Sequence, residues 1–402
     1  MPCTIHFYYN NIFTTVSRIV CVTGSVYWER TKEAHCMTTF TSQQIWVNQE
    51  NLSQTKTVQT TFDVTQLQED EVLLETDSFG FSANNITYAA LGFKMGYWGF
   101  FPTEEVGFGI VPVWGFATVK ASRHADVKEG EKVFGYLPMA SHWVIKAGKV
   151  ADHGFSDIHE KRKSISPVYD QYLRCANDPG YNPSREAWQL NFRPLYMTSF
   201  VLDDFVADTS TGESLLLSSA SSKTALGTAQ LLKDQKAQRG ASYRVIGLTS
   251  TSNIDMVKAS NCYDEVLSYD DVAALLSAEQ YWLLDFAANG ALINALTDVL
   301  GEKLAKVTLI GATDWKAEEK PNPKALDAEI FFAPARVKLR QSEWGHQAFL
   351  AKYASAWQRF ATQLNDTFFE QHVNGIEEIT ALYLATLRGE ADTKALNVLT
   401  FK

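Results

Sequence analysis

Residues 214–233, Ser-Leu-Leu-Leu-Ser-Ser-Ala-Ser-Ser-Lys-Thr-Ala-Leu-Gly-Thr-Ala-Gln-Leu-Leu-Lys, constrain the fold more than any other stretch of the chain. Leu215 to Leu217 form a short apolar run, the signature of a strand covered on both faces. Beyond a turn of small residues, Leu226, Ala229, Gln230, Leu231 and Leu232 fall at helical spacing. The turn, Ser218 to Thr224, carries hydroxyls and a lysine where the helix begins. A helix start presents free N–H groups and partial positive charge, so an anion sits well there.

The stretch resembles, without a gap, the strand, turn and helix that open the cofactor domain of the medium-chain dehydrogenase/reductase superfamily, in its zinc-free branch related to quinone oxidoreductases and enoyl reductases. That branch writes Gly-Ala-Ser-Gly-Gly-Val-Gly in the turn and ends the helix in Gln-Leu-Ala-Lys. Here the turn reads Ser219-Ala220-Ser221-Ser222-Lys223-Thr224-Ala225 and the helix ends Gln230-Leu231-Leu232-Lys233. The resemblance implies an α/β fold, a GroES-like β-barrel domain plus a Rossmann domain with a doubly wound parallel sheet. It also implies cofactor contacts from Ser219, Ala220, Ser221, Ser222, Lys223 and Thr224. The family's glycines let backbone approach a pyrophosphate and helix pack on strand. Their replacement leaves two readings open: a loop that still binds a nucleotide, with Lys223 supplying charge to the phosphates, or a Rossmann-like domain that has lost it.

A chain of 402 residues is long enough for two cores, and 46% hydrophobic residues suit a folded, soluble protein. The net charge of −10, with no basic cluster, argues against a nucleic-acid surface. No run of about 18 apolar residues suggests a membrane span. The five cysteines, at 3, 21, 36, 175 and 262, show no paired spacing, so a reducing cytoplasm is the simplest location. Residues 1–36 read as an unstructured extension or an incorrectly assigned start, since Met37 opens an ordinary-looking N-terminus.

From Gln44 to Val150 the pattern is β-rich, with strands expected at Ile45 to Val47, Thr57 to Phe62 and Val72 to Thr76. Glu71-Val72-Leu73-Leu74-Glu75 and Lys128 to Tyr136 resemble barrel segments of the superfamily. A catalytic zinc needs three convergent protein ligands. The positions that carry them in the alcohol dehydrogenase branch hold Ser82, Ala83 and Asn84, so no zinc is expected. Asn84, Asn85 and Tyr88 stand where zinc-free relatives line the nicotinamide and substrate space; the alternative is that the asparagines tie down a loop.

Residues 153–192 depart most from the superfamily and read as a variable insertion. Arg193 to Phe200 takes the place of a helix that touches nicotinamide, where Thr198 and Ser199 either bond the carboxamide or cap a helix. Tyr243 to Leu248 is a second strand ending in Thr249-Ser250-Thr251-Ser252-Asn253. An NAD site normally places an acid at this edge, and this run has none, so NADP is favoured over NAD, with Ser250, Ser252 and Asn253 near the ribose. Tyr269 matches a tyrosine packed at the adenosine phosphate in quinone oxidoreductases. Further strands are expected at Tyr281 to Phe286, Val307 to Thr313 and Ile330 to Pro334, which bring Asn289, Gly311, Ala312 and Phe332 to the cofactor crevice. Trp344 to Leu364 and Ile376 to Arg388 read as helices, and Leu396 to Phe401 as the strand returning to the barrel.

The domains then run 37–200 for the barrel, 201–335 for the cofactor domain and 336–402 for the return. The resemblance implies an NADPH-dependent, zinc-free oxidoreductase delivering hydride to an activated carbonyl, enone or quinone. Its substrate would be a small molecule, with the proton from Tyr88 or water and a homodimer left open. A CoA-ester reductase differs only in substrate. The competing reading is a non-catalytic nucleotide-binding or structural protein.

Overall fold

Six strands close a barrel. Glu71–Phe79, Pro112–Ser122, Lys132–Pro138, Gln171–Arg174, Gly154–Asp157 and His142–Ala151 lie side by side in that order, each antiparallel to the next, and His142–Ala151 pairs back onto Glu71–Phe79. Closure leaves no free edge within the ring. The computed structural model describes residues 16–22, 25–31, 38–162, 167–275, 280–286, 288–311, 327–363 and 367–402. Within 1–36, the described stretches Val16–Val22 and Ser25–Thr31 pair as an antiparallel hairpin joined to no other sheet.

Two of the staves, Gly154–Asp157 and Gln171–Arg174, come from the segment that the sequence suggested was a variable insertion. They are four residues each, too short for alternation to reveal; Gly154–Asp157 pairs with His142–Ala151 just before it, and Gln171–Arg174 pairs back onto Lys132–Pro138. Ala395–Thr400 returns to the barrel by pairing Leu399 with Phe79, and Phe369–Asn374 runs parallel beside it.

The second layer is a parallel sheet in the order Glu265–Ser268, Val245–Thr249, Ser214–Leu217, Tyr281–Asp285, Leu304–Leu309, Glu329–Ile330. Numbered along the chain this is 3-2-1-4-5-6, the doubly wound order, and its switch point falls between Ser214–Leu217 and Tyr281–Asp285. Every residue of Ser214–Leu217 and Tyr281–Asp285 is buried, which explains their unbroken apolar runs. The sixth strand stops at Ile330. Ala333–Trp344 is a helix with Pro334 in its first turn, where a missing N–H costs nothing, so the strand expected to run to Pro334 ends early. The helix expected over Trp344 to Leu364 is His346–Gln363; Gly345, at φ +85°, separates it from Ala333–Trp344, a helix the sequence did not suggest.

The helix Glu186–Thr209 joins the two halves, packing on the barrel, on Ala395–Thr400 and on the helix Lys223–Lys236. Pro194 lies inside it and cannot donate to the carbonyl of Leu190. That carbonyl faces Gly80 of the barrel so closely that a Cβ there would stand 2.5 Å from the oxygen. The proline frees an acceptor and the glycine admits it, so helix and barrel meet here. No helix among the described residues is long and apolar enough to cross a membrane.

Candidate functional site

The loop after Ser214–Leu217 emerges at the switch point, and buried polar contacts fix its start. Ser218 Oγ donates to Asp285 Oδ1 at 2.6 Å and accepts from the Phe286 N–H at 2.8 Å. Ser218 and Asp285 are both fully buried. Nothing in the sequence singled this pair out; an acid ending a buried apolar strand was the available signal.

Ser219 has φ +50°, the left-handed conformation that favours glycine, so a serine here holds a backbone position suited to glycine. Its N–H donates to the Tyr269 hydroxyl at 3.0 Å, which brings Tyr269 to the loop from the third strand and occupies that donor. Ala220 is sealed beneath: its N–H donates to the Leu248 carbonyl and its own carbonyl accepts from the Tyr263 hydroxyl. A Cβ on Gly247 would meet the Ala220 side chain at 2.9 Å, so this packing needs glycine on the neighbouring strand. Ser222 caps the helix by accepting from the Ala225 N–H at 3.3 Å.

Among the described residues, no protein group accepts from the backbone N–H of Ser221, Lys223 or Thr224. Half-buried Lys223 points its amine to 5.8 Å from the rings of both Phe192 and Phe368, in the seam between this helix and the barrel's return. Burial pushes its pKa down to about 8, and the field of Asp392 offsets part of that shift.

At the end of the second strand, Ser250 Oγ lies 3.1 Å from Ser252 Oγ and accepts from Asn253 Nδ2 at 3.0 Å, so these three side chains form one polar edge. Lys258 is exposed one turn on. Asp270 reaches this edge from the third strand, with Oδ2 3.5 Å from the Thr251 hydroxyl. Scanning the run after the second strand alone missed it.

Of the other expected cofactor residues, Asn289 caps the helix Gly290–Leu300, accepting from the Leu292 N–H at 3.2 Å. Gly311 lies beside Phe286 at the end of the fifth strand. Ala312 falls outside the described residues. Phe332 is 54% exposed beyond the sheet's edge strand, so the loop and Phe332 stand at different places along the sheet.

Thr198 and Ser199 lie in the interior of the 24-residue helix, so neither caps it. Ser199, fully buried, donates to the Thr224 carbonyl at 2.8 Å and so ties this helix to the one at the loop. Gly227 permits the approach: a Cβ there would stand 2.8 Å from Ser199 Oγ. Thr198 is half-buried.

On the barrel side, Asn84, Asn85 and Tyr88 lie on the short helix Ala83–Ala90. Asn85 is buried and spent on structure: it accepts from the Ser82 N–H at 2.9 Å and donates to the Pro112 carbonyl at 3.1 Å. Tyr88 is buried and its hydroxyl accepts from Trp114 Nε1 at 3.4 Å. Burial lifts its pKa above the ordinary tyrosine range. Asn84 stays half-buried and lines a cavity of about 20 Å³ with Gly80, Trp114, Leu190, Pro194 and Leu195. That is room for about one water. Among the described residues no group of three His, Cys, Asp or Glu side chains could hold a metal ion.

A family model described as "Protein of unknown function (DUF2855)" matches residues 79–392. Among curated proteins none matches the sequence. Among solved structures, CurA in complex with NADPH from Vibrio vulnificus is similar at 16% identity, with a TM-score of 0.59 over 90% of this chain and 99% of that one. An Etr1p/NADP/crotonyl-CoA complex is similar at 12% identity and TM-score 0.57, over 90% and 100% of the two chains. CurK enoyl reductase follows at 14% and 0.52, over 89% and 99%. At such identities the likeness establishes a shared fold, the barrel plus Rossmann arrangement that the sequence resemblance implied.

Proposed function

The chain belongs to the DUF2855 family, a description that carries no reaction, and from that premise we propose that it is an NADPH-dependent oxidoreductase that uses no zinc. Its substrate is a small molecule with an activated carbonyl, an enone or a quinone. One observation carries the reading: three backbone donors, on Ser221, Lys223 and Thr224, are left without protein partners at a helix start on the switch point of a doubly wound sheet. The residues fit a dinucleotide. Those N–H groups and Lys223 would meet the diphosphate, while Ser250, Ser252 and Asn253 with exposed Lys258 would meet the 2′-phosphate side of the ribose. The NADPH and NADP bound in the CurA and Etr1p structures, and the enoyl reductase name of CurK, support the same reading from the side of the fold.

NADPH, when bound, supplies a hydride. The chain's contribution is position and dryness. Thr198, on the helix packed beside the loop, would orient the carboxamide, while Ser199 holds that helix to the loop. The aromatic wall of Trp114 and Tyr88 keeps the barrel side apolar. Burial makes Tyr88 a weaker acid than an ordinary tyrosine, which favours water over it as the source of the proton that completes the reduction.

A second reading has its own support. Tyr269 occupies the Ser219 N–H, and the cavity beside Asn84 holds about 20 Å³, as suits a protein that keeps the fold without turnover. Thermal shift with NADPH and NADH, followed by NADPH oxidation with a panel of enones and quinones, separates the two. Stabilisation by NADPH with turnover is expected. Binding without turnover favours the second reading, and no binding of either dinucleotide defeats both nucleotide readings.

A further inference from the structure

A buried arginine on the barrel has half of its guanidinium unused. Arg162, 2% exposed, gives its Nε to Asp157 Oδ2 at 3.1 Å. Asp157 is otherwise spent, its Oδ1 accepting from the N–H groups of Lys146 and His159. Both terminal nitrogens of Arg162 are sealed from solvent and, among the described residues, make no well-aligned hydrogen bond. Arginine cannot shed its charge to relieve this, and buried donors are ordinarily satisfied. Tyr172 lies within reach of the guanidinium; its hydroxyl donates to the Tyr136 carbonyl at 3.0 Å, and its oxygen faces the arginine as the nearest neutral acceptor.

The surroundings are aromatic. The guanidinium sits 4.4 Å from the Phe101 ring centre and 5.5 Å from that of Phe100. Phe100 packs against Tyr136 at 5.1 Å, and Tyr136 against Trp114 at 5.0 Å. Trp114 lines the cavity at the long helix, so a continuous run of rings leads from that cavity to the arginine. The Tyr136 hydroxyl is itself buried with no partner, and burial holds its pKa well above the ordinary range, so it remains a donor. At the half-buried rim, the hydroxyls of Tyr97 and Tyr169 meet at 3.3 Å. Asp170 shares the field of Arg162; burial raises its carboxyl to about 6, which limits how far it cancels the arginine's charge at mildly acid pH.

We propose that the terminal nitrogens of Arg162, with the Tyr136 hydroxyl beside them, receive the carboxylate of a flat unsaturated or aromatic acid whose body lies between the rings. A planar fork matches the two oxygens of a carboxylate, which a neutral quinone does not offer. Aromatic walls suit a flat body. The inference deepens the oxidoreductase reading by making its acceptor anionic, and it rests on that reading only for the word acceptor. Entry requires the Tyr97 and Tyr169 hydroxyls to part and the contacting rings of Phe100, Tyr136 and Trp114 to separate.

The test compares cinnamate with the neutral cinnamide by isothermal titration on the full chain, with NADPH binding measured separately. At pH 5.5, where Asp170 is mostly protonated and cinnamate is still ionised, cinnamate is expected to bind wild type at least tenfold more tightly than cinnamide. Arg162→Met should bring that ratio to near one with NADPH affinity unchanged. Should Arg162→Met fail to fold, with Asp157 left unpaired, Tyr136→Phe leaves the ion pair intact and should lower the ratio about threefold. A wild-type ratio near one, no binding of either compound, or an undiminished preference in the variants overturns the proposal. Loss of NADPH binding with the cinnamate preference intact defeats the cofactor reading and leaves the carboxylate site standing.

Discussion

The two sides of the candidate site use the same kinds of side chain in opposite ways. At the Rossmann end, hydroxyl residues and a lysine stand where the superfamily has glycines, yet the N–H groups of Ser221, Lys223 and Thr224 remain unclaimed. At the barrel end, Asn85 and Tyr88 match positions that line a substrate space, yet Asn85 is consumed by its own helix cap and by Pro112, and Tyr88 by Trp114. Residue type therefore says little about availability. What decides is whether folding has already supplied a partner, and a buried group that is satisfied is costly to recruit.

The largest expected effect probes the committed end. Asn85→Ala should lower stability to denaturant by about 2–3 kcal/mol, from the lost cap and the lost bond to a buried carbonyl, and leave NADPH affinity within about twofold. A large fall in affinity without loss of stability would mean that Asn85 faces ligand after all. At the open end, Lys223→Met should weaken NADPH binding about tenfold, as expected for one charge-assisted contact, measured by fluorescence titration at pH 7.

That variant also sharpens the comparison through pH. The folded pKa of Lys223 is about 8, below its ordinary value of 10.5, so between these values the folded chain holds fewer protons than the unfolded one. The stability attributable to Lys223 then rises with pH across this window, and below about 8 the cost of the buried charge is present in full. Lys223→Met should accordingly stabilise the free protein at pH 7, with the gain fading towards pH 10. Wild-type affinity for NADPH should fall as pH rises above about 8, and the variant should lack that fall.

Smaller effects test the ties around the loop. Ser199→Ala should cost about 1 kcal/mol of stability by freeing the Thr224 carbonyl, with little change in NADPH affinity. Tyr269→Phe releases the Ser219 N–H and should tighten NADPH binding about twofold to threefold, by isothermal titration, if that donor then serves the diphosphate. Weaker binding in Tyr269→Phe would instead place the hydroxyl on the nucleotide.

The Rossmann half was the more legible. Buried parallel strands advertise themselves as apolar runs, and Ser214–Leu217, Val245–Thr249 and Tyr281–Asp285 all lie within about two residues of the runs that marked them. The barrel was legible where its strands are long, as in Glu71–Phe79, and opaque at Gly154–Asp157 and Gln171–Arg174, four residues each and too short to show alternation. Pro194 was visible in the sequence, but its consequence, a freed carbonyl meeting Gly80, depends on a contact between residues far apart. Arg162 carried no local signal, because one arginine among charged neighbours reads as surface until the fold buries it. Asp270 arrived from a neighbouring strand for the same reason.

The account turns on whether the unclaimed amides after Ser214–Leu217 receive a dinucleotide's diphosphate. Hydrogen–deuterium exchange of the peptide covering residues 219–226, with and without saturating NADPH, tests this most directly. Slower exchange at Ser221, Lys223 and Thr224 in the bound form is the predicted result. Saturated NADPH binding that leaves exchange in this peptide unchanged would contradict it.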